Sequence, residues 1–398
     1  MSKNIICMNN IAIISFFHLE ASICLAKAIA EQGVEVDFYF IADIHHDTGK
    51  QPGISYVGAS KFPGSHRLNS KTIPEIHRFT KGLPISFNII RIASYHMKAT
   101  VVNKMILRSA LKHIRNKHYD AINVVGQWRW VDYIHGQLKG ENLIHTFHEV
   151  GDHTRGVATN PLMELIIKDQ SKVILLSQST FQRFLSIPGA DKCNVTVTPM
   201  GTFQTLLLFR NDKNKMELPI DRSKITFLFY GYIREYKGLG LLLKAAKLLN
   251  DNGSDFNLII AGAGHDSSLS EFERMDNCIV INRFLDDEEM INLNEIADVV
   301  VLPYKSASQT GIVPTSFMFG NPVISTKVGA LTEVIKDHEN GLLVEPGDAE
   351  CFAKAMLSLL SDKALVRELS QGAKSFGHND EYDWNNIAKK TLKFYEQK

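Results

Sequence analysis

Two cations three residues apart, Arg234 and Lys237, follow Gly231 at the end of the apolar run Ile225 to Gly231. Arginine offers a rigid fork of donors and lysine a mobile point charge, and the two on one loop suit a diphosphate. Alone they read more simply as a solvated surface loop, where most charged side chains sit. A second stretch changes the weights. Val299 to Leu302 is a strand-like run stopped by Pro303, Ser306 to Gly311 is a small-residue loop, and Pro314 to Phe319 is helical. Gly320 to Pro322 then breaks the helix before a new strand at Val323. Strand, Gly/Ser/Thr loop, helix and strand form the unit that turns backbone N–H groups toward an anion at a helix N-terminus. Thr310 and Gly311 would offer a hydroxyl and amides to phosphate oxygens. The plainer reading of Gly311 is a turn that needs positive φ.

A third cluster, His148, Glu149, Asp152 and His153, lies in HTFHEVGDH after the strand-like NLI. Mixed imidazoles and acids can bind a metal, and polar loop residues without a role are the alternative. Trp128, Arg129 and Trp130 could stack on a sugar or simply pack.

These residues need elements to place them. The first half opens with IICM or IAIIS as a strand, a helix near Ser22 to Gln32, a stop at Gly33 and a strand from Val34 to Ala42. That is a β-loop-α-β unit of a parallel sheet. Residues 43–100 mix signals: GISYVGA reads as a short strand, while KTIPEIHRFTKGLP combines helix formers with breakers. Val101 to Lys117 is a strong helix. Strands follow at Ala121 to Gln127, Asn142 to Val150, Ser171 to Ser179 and Asn194 to Gly201. Residues 204–222 lose apolar periodicity and read as a connection. A second series then begins with a strand at Ile225 to Gly231 and an amphipathic helix at Gly240 to Asn250. The strands FNLIIAGAG, CIVINRF and DVVVLPY follow, then helices over 349–361, 363–375 and 384–397. The pattern predicts an N-terminal α/β domain over 1–203 and a C-terminal one over 223–376, with 377–398 as a closing helix. Ligands of open α/β sheets bind at the carboxyl ends of the strands. The loops at 231–238 and 306–311 would therefore line one crevice.

At 398 residues the chain exceeds one ordinary core. Apolar content of 44% and charged content of 22% are those of a globular protein. A net charge of +1 argues against a strongly electrostatic nucleic-acid binder. Cys7, Cys24, Cys193, Cys278 and Cys351 are odd in number and lack metal spacing, so they read as reduced, mostly buried thiols of a cytoplasmic protein. No apolar run reaches the ~18 residues of a membrane span. The apolar start is interrupted by Asn9 and Asn10 and reads as a buried strand rather than a signal segment.

In order and spacing, GYIREYKG with its LLLKAA helix, LIIAGAG, IADVVVLPY, GNPVISTKVGALTEVI and NGLLVEPGD resemble a family-4 retaining glycosyltransferase of the GT-B type. These segments span residues 225–350. The resemblance implies two Rossmann-like domains facing across a cleft, a nucleotide-diphosphate sugar as donor, and no cofactor or metal. It implies that Arg234 and Lys237, after Gly231, neutralise the diphosphate, and that Gln309, Thr310, Gly311, Ile312 and Thr315 hold phosphate and sugar. It further implies that His148 stands over the donor sugar as a catalytic residue, with Glu149, Asp152, His153 and Trp128 toward the acceptor. Glu149 stands where the family usually has Asp.

One departure is clear. The family's Glu-x7-Glu acids fall at Ala307 and Thr315, or at Gln309 and Phe317 in a shifted register, and none of these is acidic. The reading is a variant site. Glu333 is the nearby carboxylate, read as a first-turn acid favoured by the helix dipole. Trp384 is read as a core anchor of the closing helix.

The implied activity is transfer of a sugar with retention to a glycan or lipid-linked acceptor, in cell-surface polysaccharide biosynthesis. It would take place in the cytoplasm or at the inner membrane face, with peripheral membrane contact and no nucleic-acid partner. Basic and aromatic residues of 43–100, among them His66, Arg67, Arg91 and Tyr95, would suit a lipid-linked diphosphate sugar, or cluster by chance on a solvated face. An epimerase or phosphorylase of the same architecture is a second enzyme reading, although no pyridoxal-phosphate lysine site is evident. A catalytically silent scaffold is the alternative from another class, suggested by the missing acids.

Overall fold

The computed structural model describes residues 8–16, 19–43, 62–93, 100–127, 130–150, 161–211, 215–307 and 310–397. The chain forms two units. Described residues up to Leu208, with Asp380–Lys398, make the first, and Phe209–Asn379 make the second.

The first unit holds one eight-stranded sheet. Its strands are β1 (Asn10–Ser15), β2 (Glu35–Asp43), β3 (Gly64–Arg67), β4 (Ile85–Ile92), β5 (Ala121–Val125), β6 (Leu143–Phe147), β7 (Lys172–Leu175) and β8 (Asn194–Val197). They lie in the order β3-β4-β2-β1-β5-β6-β7-β8. Every pairing is parallel except β3 with β4. β1 and β5 are the most central strands and are apolar on both faces, as a sheet covered by helices on each side requires. Helix Leu19–Ala30 buries the small residues Ala21, Ala26 and Ala28, which let it lie close to the sheet. The carboxylate of Asp120 accepts the backbone N–H groups of Asn9 (2.6 Å) and Asn10 (3.1 Å), so the start of β1 is satisfied.

The second unit is a six-stranded, all-parallel sheet. Its strands are β9 (Thr226–Tyr230), β10 (Asn257–Ala261), β11 (Cys278–Ile281), β12 (Val299–Leu302), β13 (Val323–Thr326) and β14 (Gly341–Val344). The order is β11-β10-β9-β12-β13-β14, the doubly wound 3-2-1-4-5-6 arrangement. β9, β10 and β12 are buried along their whole length. Helix Asp287–Ile296 starts with a reciprocal capping box between Asp286 and Glu289.

Several elements differ from the sequence expectation. β4, ISFNIIRI, lies in the stretch whose breakers masked it: Pro84 abuts the strand, and Gly82 turns with φ of 83°. The strand expected over Ser171 to Ser179 stops at Leu175, because Ser177 caps helix Gln178–Leu185 by accepting the Thr180 N–H at 3.0 Å. The helix expected from Pro314 begins two residues earlier, at Ile312. Among the described cysteines Cys24 is buried, Cys193, Cys278 and Cys351 are half-buried, and none is paired, so the expected general burial of thiols does not hold. Cys7 and GISYVGA lie outside the described residues.

The last helix, Trp384–Tyr395, packs on helix Leu19–Ala30. Trp384 is buried, and its indole N–H donates to the Thr202 carbonyl at 2.7 Å. Lys172 reaches the Tyr395 carbonyl at 3.1 Å. Truncating Trp384 would leave both a cavity and an orphaned carbonyl. Trp384→Ala is expected to destabilise the first unit by about 3–5 kcal/mol, read as a lower urea midpoint; a loss below about 1 kcal/mol would remove the helix from the unit's core.

Candidate functional site

The topological switch point of the second sheet lies between β9 and β12, and both loops that follow these strands carry candidate residues. β9 is followed at once by Gly231, with φ of 109°. Ile233 makes a bridge to Gly264, and a short 3-10 turn, Glu235–Lys237, leads to Gly238 and helix Leu239–Asp251. Two glycines permit this course. Gly238 has φ of 72°, and a Cβ there would lie 1.9 Å from the Pro303 carbonyl oxygen. Gly262 has φ of 142°, and its Cβ would lie 1.9 Å from the Gly231 carbonyl oxygen. No side chain fits either place.

That close packing carries Lys237 inward. Its side chain is buried, with a relative exposure of 7% for the residue. The ammonium donates to the Tyr304 hydroxyl at 2.6 Å and lies 4.4 Å from the centroid of the same ring. Tyr236 stands edge-on to Tyr304, with its centroid 5.8 Å from the ammonium. A Cβ on Gly231 would lie 3.8 Å from the Lys237 Nζ and 3.1 Å from the Ile312 Cδ1, so Gly231, Lys237 and Ile312 converge. Arg234 is exposed. Among the described residues neither Arg234 nor Lys237 has a carboxylate partner. Burial, with the like charge of Arg234 second, lowers the Lys237 ammonium to about 8. Two uncompensated cations on one loop form a site that favours an anion.

Helix Ile312–Phe319 faces the same convergence. Gly311, its N-cap, has φ of −75° in the right-handed region, so positive φ does not account for the glycine. The Thr310 hydroxyl accepts the Ile312 N–H at 3.2 Å and also hydrogen-bonds Tyr304. Tyr304 thus ties the 306–311 loop to Lys237. Its own ionisation is pushed well up by burial and by its tyrosine neighbours. Thr315 is buried beside the Tyr230 phenol, which donates to the Ile312 carbonyl at 3.3 Å and stands 3.4 Å from the Ser316 Oγ. Burial raises the Tyr230 phenol to about 12, against the hydrogen bonds from Ser316, Asn294 and Thr315. Glu333 lies in the first turn of the short helix Leu331–Val334. Gln309 lies outside the described residues.

In the first unit, His148 and Glu149 follow the end of β6, and His148 is buried. The Gln127 side chain donates to the Glu149 carbonyl and so joins the loops after β5 and β6. Asp152, His153 and Trp128 lie outside the described residues. Trp130 is buried and packs edge-on to Tyr133 at 6.3 Å, which is packing rather than stacking on a ligand. His145, within β6 and three residues before His148, belongs to a structural chain: it meets His135 at 3.0 Å, and His135 meets Asp169 at 2.9 Å. Burial, then His135, lowers the His145 imidazole to about 3.

Sequence reasoning missed Tyr304 and Tyr230, the residues that orient Lys237 and Thr315. The sequence signal for Tyr304 was its place one residue past the Pro303 that ends β12, at the carboxyl edge.

Residues 210–376 match the sequence model of the family described as glycosyl transferases group 1. A D-inositol 3-phosphate glycosyltransferase of Arthrobacter sp. (strain FB24) is 24% identical, over 93% of this chain and 87% of its own length. The sucrose-phosphate synthase of Thermosynechococcus elongatus superposes with a TM-score of 0.68 at 19% identity, covering 98% of each chain. The Anabaena protein HepE, solved with UDP-glucose, superposes with a TM-score of 0.62 at 15% identity, over 96% of this chain and 99% of its own. The family match falls within the second unit, and the fold that the chain shares with these solved structures is GT-B.

The depressed lysine has a consequence for stability. In the unfolded chain Lys237 titrates at the ordinary lysine value of 10.5, and in the folded protein at about 8. Between those values the unfolded state holds more protons, so stability of the free protein rises with pH there. Below about 8 the full deficit is present, on the order of 3 kcal/mol. Lys237→Met is expected to raise the melting temperature of the free protein at pH 7 and to flatten its rise above pH 8. A lowered melting temperature would mean that the contacts with Tyr304 outweigh the desolvation.

Proposed function

We propose that the chain is a retaining glycosyltransferase that moves a sugar from a nucleoside-diphosphate donor to a glycan or lipid-linked acceptor. The observation that carries this is Lys237: a buried cation with no carboxylate partner among the described residues, beside a second cation, at the switch point of a doubly wound sheet. A buried charge of this kind is relieved by an anionic ligand. Donor chemistry is supported by the HepE structure with UDP-glucose. A phosphorylated, hydroxyl-bearing acceptor is suggested by the D-inositol 3-phosphate glycosyltransferases among the relatives. A role in cell-surface polysaccharide assembly and independence of metal are part of the same proposal.

In the reaction the bond from the anomeric carbon to the diphosphate oxygen breaks, and its electron pair leaves with the diphosphate. Arg234, Lys237 and the amide of Gly311 stabilise that growing charge more than they stabilise the ground state. The acceptor oxygen bonds the anomeric carbon on the face the diphosphate leaves, and its proton passes to the departing phosphate oxygen. No enzyme base is then required. His148 would bear on the donor sugar, with Glu149, Asp152, His153 and Trp128 toward the acceptor. Thr315, turned to Tyr230, would support the loop in place of the family's acid.

The test is a thermal shift against UDP, GDP, ADP and TDP with EDTA present. One nucleotide is expected to raise the melting temperature selectively. Arg234→Ala and Lys237→Ala are each expected to keep the fold and reduce turnover by at least about tenfold at saturating donor; unchanged turnover would sink the assignment. A flat nucleotide panel would favour the silent-scaffold reading that the neutral residues at 307 and 315 suggest.

Lys237 also sets a pH dependence. The free site loses its proton through about pH 8, whereas a bound diphosphate raises the lysine's pKa. Affinity for the nucleotide is therefore expected to fall by up to about tenfold per pH unit above 8, and calorimetry from pH 7 to 9.5 reads this slope. Equal affinity across that range would take Lys237 out of the site.

A further inference from the structure

We propose that the exposed face of helix Thr100–Asn116 is a docking surface for an anionic lipid bilayer. The helix buries Asn103, Leu107, Ala110, Leu111 and Ile114 in the first unit. Its opposite face is divided along its length. Val101, Val102 and Met105 occupy the N-terminal half, with 72%, 48% and 68% of their surfaces exposed. Arg108, Lys112 and His113 occupy the C-terminal half and are also exposed. At 100° per residue Val101, Met105 and Lys112 fall on one line, flanked by Arg108 and Val102.

Charge favours the same occupant. Residues 100–116 contain no Asp or Glu. The carboxylates on neighbouring elements are already engaged. Glu141 pairs with Arg115 at 3.0 Å, and Asp37 pairs with Lys117 at 2.7 Å while accepting from Ser86 and Tyr119. Asp132 accepts the Tyr133 N–H at 2.7 Å. Beside the helix, a groove of about 880 Å³ is lined by Met105, His113 and Arg67, among others, and is large enough for a lipid headgroup. Phe62, 76% exposed, precedes β3, the edge strand packed against this helix.

Apolar side chains that enter the acyl boundary, with cations at headgroup level, are the requirements of an interfacial helix. A second copy of the chain fits less well. Three apolar side chains fall far short of the ~800 Å² that each partner contributes to a stable interface, and the cations would face their own like. This site lies in the first unit and is read out by binding alone. Its failure would leave the transferase reading standing.

The test uses the full chain in co-sedimentation with vesicles of phosphatidylcholine, and of phosphatidylcholine mixed equally with phosphatidylglycerol. Binding to the mixed vesicles is expected to be at least about tenfold tighter, and to weaken with added salt. Met105→Glu and a double Arg108→Glu, Lys112→Glu variant are each expected to lose about tenfold or more. Lys354→Glu, an exposed charge reversal in the second unit, is expected to bind as the unaltered protein does. Melting temperatures check that the variants fold. Equal binding to both vesicle types would overturn the proposal, as would variants that bind normally or a control that loses as much. So would a shift from dimer to monomer on gel filtration in Met105→Glu, which would assign the face to a second copy.

Discussion

The second unit depends on holding an uncompensated cation inside a protein. Lys237 is buried with a phenol and two aromatic rings around it and no carboxylate among the described residues. Such an arrangement survives only if the backbone leaves the ammonium nowhere else to go. Gly238 against the Pro303 carbonyl and Gly262 against the Gly231 carbonyl provide that constraint, since each contact is closer than any side chain would allow. The free site is strained electrostatically, and an anion relieves it. Binding energy and charge stabilisation then come from the same atoms.

The sheet order explains why these groups meet. In the 3-2-1-4-5-6 arrangement the helices after β9 and β12 diverge to opposite faces, and the gap between them opens at the carboxyl edge. Residues some seventy positions apart, Lys237 and Tyr304, become hydrogen-bonded there. Thr310 stands near Tyr304, and its hydroxyl accepts the Ile312 N–H at the start of the helix. The neutral residue at 315 belongs to the same economy of contacts. Thr315 is buried beside Tyr230, so it fills the space under the helix start rather than presenting a charge.

The first unit repeats the doubly wound order with an added antiparallel edge, β3, and a helix whose outer face is apolar at one end and basic at the other. Its interior chemistry is structural. The imidazoles of His135 and His145 and the Asp169 carboxylate are linked to one another, and burial keeps His145 neutral. His148 and Glu149 lie apart from that chain, just past the carboxyl end of β6.

The strands of both sheets were legible because a doubly covered parallel strand must be a continuous apolar run, and such runs stand out between glycines and prolines. The loop at 231–238 was legible because two cations after a strand end are a local signal. β4 was hidden, since Pro84 and Gly82 beside it are the residues that argue for a turn. The strand expected at Ser177 gave way to a helix cap, a competition local propensity leaves open. By itself the sequence determined the fold class, the placing of Arg234 and Lys237 on a loop, and the absence of acids at 307 and 315. Only tertiary structure decided that Lys237 is buried and Arg234 exposed, that Tyr304 and not an acid receives the ammonium, and that Thr315 turns inward. Those outcomes depend on contacts between segments far apart in the chain, set by backbone close approach at glycines, and no local pattern of residue types encodes them.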